Sequence, residues 1–307
     1  MTATVREGPA ELQSPDPVNA LRPSERAAGA GARSRWLEVL GPLAVFAGFI
    51  GLWYVVHYVV MSDNRQFLVP PPHVVVQRSF LTWKLSGNGT LAGIAGGGLH
   101  DQLQGLWLST RVAILGLAIA MVVGVALAVL MSQARWIERA LYPYAVALQA
   151  IPVLAFVPLI GVLWGFTFRS RVLVCVIMAL FPIVANTLFG LLSVDRGHHD
   201  LFTLHGASRS TRLRRLQLPA ALPAMFTGFR ISAGLSVIGA VVGDFFFRQG
   251  DPGIGQLIDR YRASNSYAQM YGAVILAAAL GISVFWLFGW IGNRAIGHWH
   301  ETSRRPQ

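Results

Sequence analysis

Apolar residues in this chain neither alternate with polar ones nor mark one face of helices otherwise polar. They gather into six long blocks, at about 37–60, 108–131, 140–165, 172–192, 221–245 and 271–291. A helix rises about 1.5 Å per residue, so about 20 apolar residues cross the roughly 30 Å hydrocarbon core of a bilayer. In lipid the backbone must satisfy its own polar groups, which restricts spanning segments to helices or a closed barrel. Barrel strands alternate, and these blocks do not. The pattern predicts an all-α integral membrane protein of about six transmembrane helices. Trp53, Tyr54 and Tyr58 sit near the far end of the first block, where aromatic rings anchor a helix at the interface.

Three regions follow. Residues 1–36, rich in Pro, Ala, Arg and Glu, read as a disordered cytoplasmic tail without the apolar stretch of a signal peptide. Residues 37–295 form the transmembrane domain, and 296–307 a short cytoplasmic tail.

Small residues recur at four-residue spacing in two blocks: Gly116, Ala120, Gly124 and Ala128 in the second, and Ala224, Gly228, Ser232, Ser236 and Ala240 in the fifth. Such stripes let helix backbones approach closely, within the bundle or against a second copy. Pro143, Pro152 and Pro158 lie in the third block and Pro182 in the fourth. Proline removes an amide donor and bends a helix, and in a membrane such breaks persist where protein or a water-filled cavity surrounds them. Gln149 precedes one break, and Asn186 lies a turn beyond Pro182. The third and fourth spans are therefore expected to line a pathway. Candidate lining residues are Gln149, Pro152 and Asn186, with Arg230, Ser232 and Asp244 on the fifth span. The alternative is that Gln149 and Asn186 only bond neighbouring helices. Arg230 has three readings: snorkelling to the interface, pairing with another helix, or meeting an anionic solute. Asp244 reads as a gate or a structural capping residue.

Composition agrees with the block pattern. Hydrophobic residues make up 54% and charged residues 13%, against about 25% charged in soluble domains. The formal net charge of +11 does not imply nucleic acid, because the arginines are scattered between apolar blocks. Their placement sets topology instead: six spans put both termini on one side, and that side holds 15 Lys and Arg against eight on the other. The bias places both termini in the cytoplasm, with Arg169 and Arg171 as exceptions on the outside. Cys175, the single cysteine, lies within a block and reads as a packing residue.

The stretch from Asp200 to Pro223, between the fourth and fifth blocks, is too polar to span and too regular for a slack linker. Helix formers flank Gly206, and Pro219 and Pro223 mark the start of the next span. Two short helices hinged at Gly206 would make a rigid cytoplasmic knob. Leu201, Phe202 and Leu204 would be its apolar contacts, and Arg209, Arg212, Arg214 and Arg215 its charged rim, a surface suited to a protein partner. The alternative is a solvated basic loop that only fixes topology.

This stretch resembles the cytoplasmic signature of binding-protein-dependent ABC importer permeases, E-A-A-x3-G-x9-I-x-L-P. Asp200 falls at the glutamate, Gly206 at the glycine, Leu216 at the isoleucine, and Leu218 and Pro219 at the final pair, while Leu201 and Phe202 replace the two alanines. The resemblance covers about 67–295. The runs L-V-P-P-P-H (68–73), L-Q-A-I-P-V-L-A-F-V-P-L (148–159), F-P-I-V-A-N-T-L-F-G-L-L-S-V-D (181–195) and G-D-F-F-F-R-Q-G-D-P-G-I-G (243–255) look like the nitrate/sulfonate/taurine branch. Asp244 stands where that branch usually has Glu, and the Gly-rich stretch 86–98 looks like an insertion. The resemblance implies that Asp200, Leu201, Phe202, Leu204, Gly206, Ala207, Ser208, Arg209, Leu218 and Pro219 form a coupling element seated on a cytoplasmic ATPase. It also implies a pair of identical permease copies, two ATPase subunits that bind ATP and Mg, and an extracytoplasmic solute-binding protein. Branch members import nitrate, alkyl sulfonates, taurine, bicarbonate or vitamin-related compounds.

The chain carries no chemistry of its own for this work. Its one lysine, Lys84, lies outside any phosphate-cradling G-x-x-x-x-G-K-[ST] loop. Its histidines lack metal-ligand spacing, and carboxylates are almost absent from the apolar blocks. The expected role is transport without catalysis, driven by a separate ATPase. The rivals are a gradient-driven secondary carrier and a membrane-embedded enzyme or scaffold.

Overall fold

A computed structural model describes the backbone of residues 24–82, 98–150 and 152–296, and the side chains of these except 24–39 and 296. The chain divides into two units, Met1–Ser62 and Asp63–Gln307. The Gly-rich stretch expected as an insertion lies almost wholly outside the described residues, as do residues 1–23 and 297–307 of the expected tails.

The first unit is one helix, α1 (Ser24–Val55), running into a π-helical turn at Val56–Val60. It starts 13 residues before the boundary expected at residue 37. The stretch from Ser24 is rich in the helix formers Ala and Arg, which a hydropathy boundary does not register. Its apolar part, Leu40–Val60, has a mean hydropathy of 1.9. The expected anchoring aromatics pair along the helix, Phe49 edge-on to Trp53 and Tyr54 stacked on Tyr58.

The second unit opens with a 3-10 turn (Asp63–Leu68), the short helix α2 (Pro72–Val76) and a π-helical turn (Gln77–Leu81). The long helices follow: α3 (Leu99–Ser132), α4 (Arg135–Ala150), α5 (Val153–Trp164) and α6 (Phe168–Leu192). Then come α7 (Arg196–Leu204), α8 (Arg209–Arg212), α9 (Leu218–Phe246), α10 (Ile254–Ala263) and α11 (Tyr267–Ile296). The spanning helices overshoot the predicted blocks at several ends, because a helix continues past its lipid-matched stretch into polar turns.

α3, α6 and α9 form the core, and the small-residue stripes are their contact surfaces within the chain. Gly116 lies so close to Cys175 that an added Cβ would collide with it, and Gly124 faces Ile183. On α9, Gly228 packs within 2.8 Å (measured from a hypothetical Cβ) of the Pro182 carbonyl. Ser232 donates to the Ala179 carbonyl at 2.7 Å, and Ser236 to the Ala113 carbonyl at 2.6 Å. Contacts ascend together along α3 and α6 and in opposite directions along α6 and α9, so α3 and α6 are parallel and α9 is antiparallel to both. α11 runs antiparallel to α9, with Gly292 by Phe226 and Gly281 by Val237.

That arrangement decides what α4 and α5 must do. Two parallel helices joined in sequence need a connection that returns across the layer, so the α4–α5 pair crosses once. It does not cross as the straight span expected at 140–165, because α4 and α5 meet at 98°. Pro152 caps α5 with an extended backbone, φ −67° and ψ 100°, and has no amide to continue α4. The other prolines behave differently: Pro143, Pro158 and Pro182 lie inside intact helices. The expectation of breaks through the third and fourth spans is thus corrected, among the described residues, to one break, at Pro152. Among the described residues, five helices are long and apolar enough to cross a membrane, or six with the bent pair as one span.

Candidate functional site

The expected knob is present as α7 and α8. α7 ends in left-handed glycine geometry: Gly206 has φ +65°, its N–H bonds the Thr203 carbonyl at 3.0 Å, and the Ala207 N–H bonds the Phe202 carbonyl at 2.9 Å. This pair of bonds closes the helix end only when the residue at its centre tolerates positive φ, which is why glycine stands there. Two residues on, the Ser208 hydroxyl accepts the Thr211 N–H at 3.2 Å and caps α8. Arg212 Nε donates back to the Ala207 carbonyl at 3.3 Å. The reversal is therefore held from both sides.

No residue of α7 is buried. Leu204 is 85% and Leu201 51% exposed, Phe202 is half-buried, and Asp200 is exposed beside them. Among the described residues nothing covers this apolar cluster on an otherwise polar helix pair, as a docking surface requires. α8 does not stop at Arg212: it passes through a π-helical turn, Leu213–Gln217, into α9. The capping residues Leu213 and Leu218 keep helical φ and ψ, so the rod from Arg209 to Phe246 is continuous. Leu218 and Pro219 lie where it leaves the knob.

The six expected pathway residues are not brought together. Gln149 and Pro152 are exposed at the α4–α5 break. Asn186 is half-buried, with Nδ2 donating to the Pro182 carbonyl at 2.8 Å. Arg230 is exposed, its guanidinium 4.0 Å over the ring of Phe285 on α11. Ser232 is buried with its hydroxyl engaged by Ala179, and Asp244 is buried in an ion pair.

That ion pair was not anticipated. Arg171, in the first turn of α6, is 2% exposed and reaches Asp244 Oδ1 at 3.1 Å. Its remaining terminal donors go to the carbonyls of Phe247, Gln249 (3.0 Å) and Asp251 (3.2 Å). Ser109 of α3 donates to the second carboxylate oxygen and accepts the Ile254 N–H at 2.8 Å. A Cβ at Gly253 would strike the Asp244 carboxylate, which accounts for glycine in the G-D-P-G-I-G run. The one signal in the sequence was Arg171 itself, a cation on the side the charge count left poorer in cations.

The profile of a protein family described as binding-protein-dependent transport system inner membrane component matches residues 120–297. The formylaminopyrimidine transport permease protein ThiX of Halalkalibacterium halodurans is 30% identical over 253 residues, 82% of this chain and 92% of that protein. The nitrate import permease protein NrtB of a Synechocystis species is 35% identical over 231 residues, 74% of this chain and 78% of that one. The putative aliphatic sulfonates transport permease protein SsuC of Escherichia coli is 28% identical over 80% of this chain and 87% of its own. Among solved structures, a chain of the MetNI methionine ABC transporter in an inward-facing conformation superposes with a TM-score of 0.55 at 19% identity. It covers 65% of this chain and 96% of its own, a likeness of fold.

Proposed function

The chain belongs to the family of binding-protein-dependent transport system inner membrane components, and from that premise we propose that its α7–α8 knob is the lever through which a separate ATPase drives import. The protein is a multi-pass membrane permease subunit of an ABC importer. In this reading ATP and Mg are bound by two cytoplasmic partner subunits, and no bond is made or broken in this chain. A second copy of the chain completes the pathway, and an extracytoplasmic solute-binding protein delivers the solute. The knob and both termini lie in the cytoplasm.

The observation that carries the reading is mechanical. Leu201 and Leu204 are exposed at the tip of a knob whose second helix is continuous with α9. A force applied at the tip reaches the bundle without a flexible joint to absorb it. The solute is a small anion or zwitterion, in keeping with the nitrate and aliphatic sulfonates named for two relatives. For Gln149, Pro152, Asn186, Arg230, Ser232 and Asp244, the geometry supports a pathway role best at Gln149 and Pro152, which are exposed at the one break in the spans.

The test is capture of the ATPase encoded with this chain by the detergent-solubilised permease. Wild type should retain it, and Leu204→Asp, which places a charge in the apolar tip, should lower retention about tenfold, equivalent to roughly 1.4 kcal/mol. Equal retention by the variant, at equal membrane abundance, would remove the knob from the interface.

A further inference from the structure

The lever has two connections to the bundle: α7 follows the inner end of α6, and α8 runs on into α9. Any stroke therefore acts on α6 and α9 at one end. At the opposite end the same two helices are tied by Arg171 and Asp244, and Ser109 adds α3 to the tie. A guanidinium carries five N–H donors. Four hydrogen bonds leave its two terminal nitrogens, one to the carboxylate and three to carbonyls of the segment that follows α9. The segment 247–251 is wrapped around the Arg171 head group, and Ser109 holds the start of α10 through the Ile254 N–H.

We propose that Arg171 is a positioning residue for transport: with Asp244 and Ser109 it clasps the outer ends of α3, α6 and α9, so that the lever moves them as one rigid body. Without the clasp, a push at the inner end could spread the outer ends of α6 and α9, where the contacts below it are the close approaches of Gly239 to Cys175 and of Gly243 to Arg171. With it, the outer mouth changes only where these three helices meet something else: the α4–α5 pair, α11 or a second copy. This is alternation by rigid-body rocking, in which packed units keep their internal contacts. A buried ion pair suits that task, because breaking it strands a charge in a medium that cannot solvate it. The proposal rests on the coupling reading above, and its test separates the two.

The experiment uses the assembled permease–ATPase complex in lipid nanodiscs, in a Cys175→Ala background. Spin labels at the exposed positions Arg169, at the outer end of α6, and Gln249, three residues beyond the end of α9, report the distance between α6 and the segment that leaves α9. A label at Arg215 reports the lever. Spectra are compared without nucleotide and with ATP plus vanadate. The Arg215 line shape is expected to change with nucleotide while the 169–249 distance stays narrow and unshifted. In Arg171→Met and in the milder Asp244→Asn, the 169–249 distance should become nucleotide-dependent, and Arg171→Lys, with three donors instead of five, should fall between. A role confined to folding would broaden that distance equally in both nucleotide states, and this result would overturn the proposal. So would a wild-type clasp that opens with ATP. A static Arg215 label would overturn the coupling reading, and the clasp's role with it.

Discussion

Gly116 of α3 and Cys175 of α6 meet so closely that there is no room between them for a single further carbon atom. The Val172 carbonyl stands 3.2 Å from where that carbon would be, so the obstacle is partly backbone and cannot rotate away. Gly116→Val should therefore force α3 off α6, with the cost of overpacking at about 1–3 kcal/mol. Thermal unfolding of the purified protein should show a lowered midpoint, larger for Val than for Ala. An unchanged midpoint for Val would mean that the two helices do not meet at this residue.

The same stripe on α9 carries hydroxyls instead of gaps. Ser236 donates to the Ala113 carbonyl and Ser232 to the Ala179 carbonyl, so one helix is bonded to two neighbours from positions a turn apart. Hydrogen bonds between membrane helices average about 0.6 kcal/mol and reach about 1.7. Ser236→Ala and Ser232→Ala should each lower stability by that amount, and nearly additively, since they face different helices. Equilibrium unfolding in mixed micelles measures both, and a stability gain in either would contradict the assigned bonds.

At the knob, Gly206→Val places a β-branched residue at φ +65°, where non-glycine residues cost of order 1–3 kcal/mol. Apart from its chain neighbours, no atom of the described residues lies within 4 Å of the added carbon, so the penalty is conformational and confined to the reversal between α7 and α8. The variant should reach the membrane at normal abundance and lose solute uptake while the ATPase continues to turn over. Normal uptake would show that the geometry of the hinge plays no part in coupling.

Which of these features the sequence disclosed depends on how local their causes are. The stripes on α3 and α9, and the glycine hinge at 206 between helix formers, are properties of a few adjacent residues and could be read directly. The bend between α4 and α5 was only half legible: Pro143, Pro152, Pro158 and Pro182 look alike in sequence. Only at Pro152 does the backbone turn extended, while at the others the neighbouring turns keep the helix. Arg171 was illegible because its partners lie 73 to 80 residues away in sequence. Hydropathy assigned it to a loop, since a guanidinium with every terminal donor engaged looks, in sequence, like any exposed arginine. Ser232 and Asp244 are polar at membrane depth in the sequence, and in the fold that polarity is consumed by bonds within the bundle.

Arg230 offers the clearest contest between packing and solute recognition. Its guanidinium lies 4.0 Å over the Phe285 ring, and its side chain fills the space beside Gly289, so α9 and α11 meet through it. A cation over an aromatic face contributes about 0.5–1 kcal/mol at an exposed site. If the contact is Arg230's main role, Arg230→Gln and Phe285→Leu should each lower the unfolding midpoint, and the double variant should lose little more than either alone. A double-mutant cycle on purified protein gives that coupling energy directly. The same variants assayed for uptake of nitrate and taurine as probes should then show an unchanged half-saturation concentration. A rise in that concentration for Arg230→Gln but not for Phe285→Leu would reassign the arginine to the solute, because only the charge, and not the ring beneath it, would then be in use.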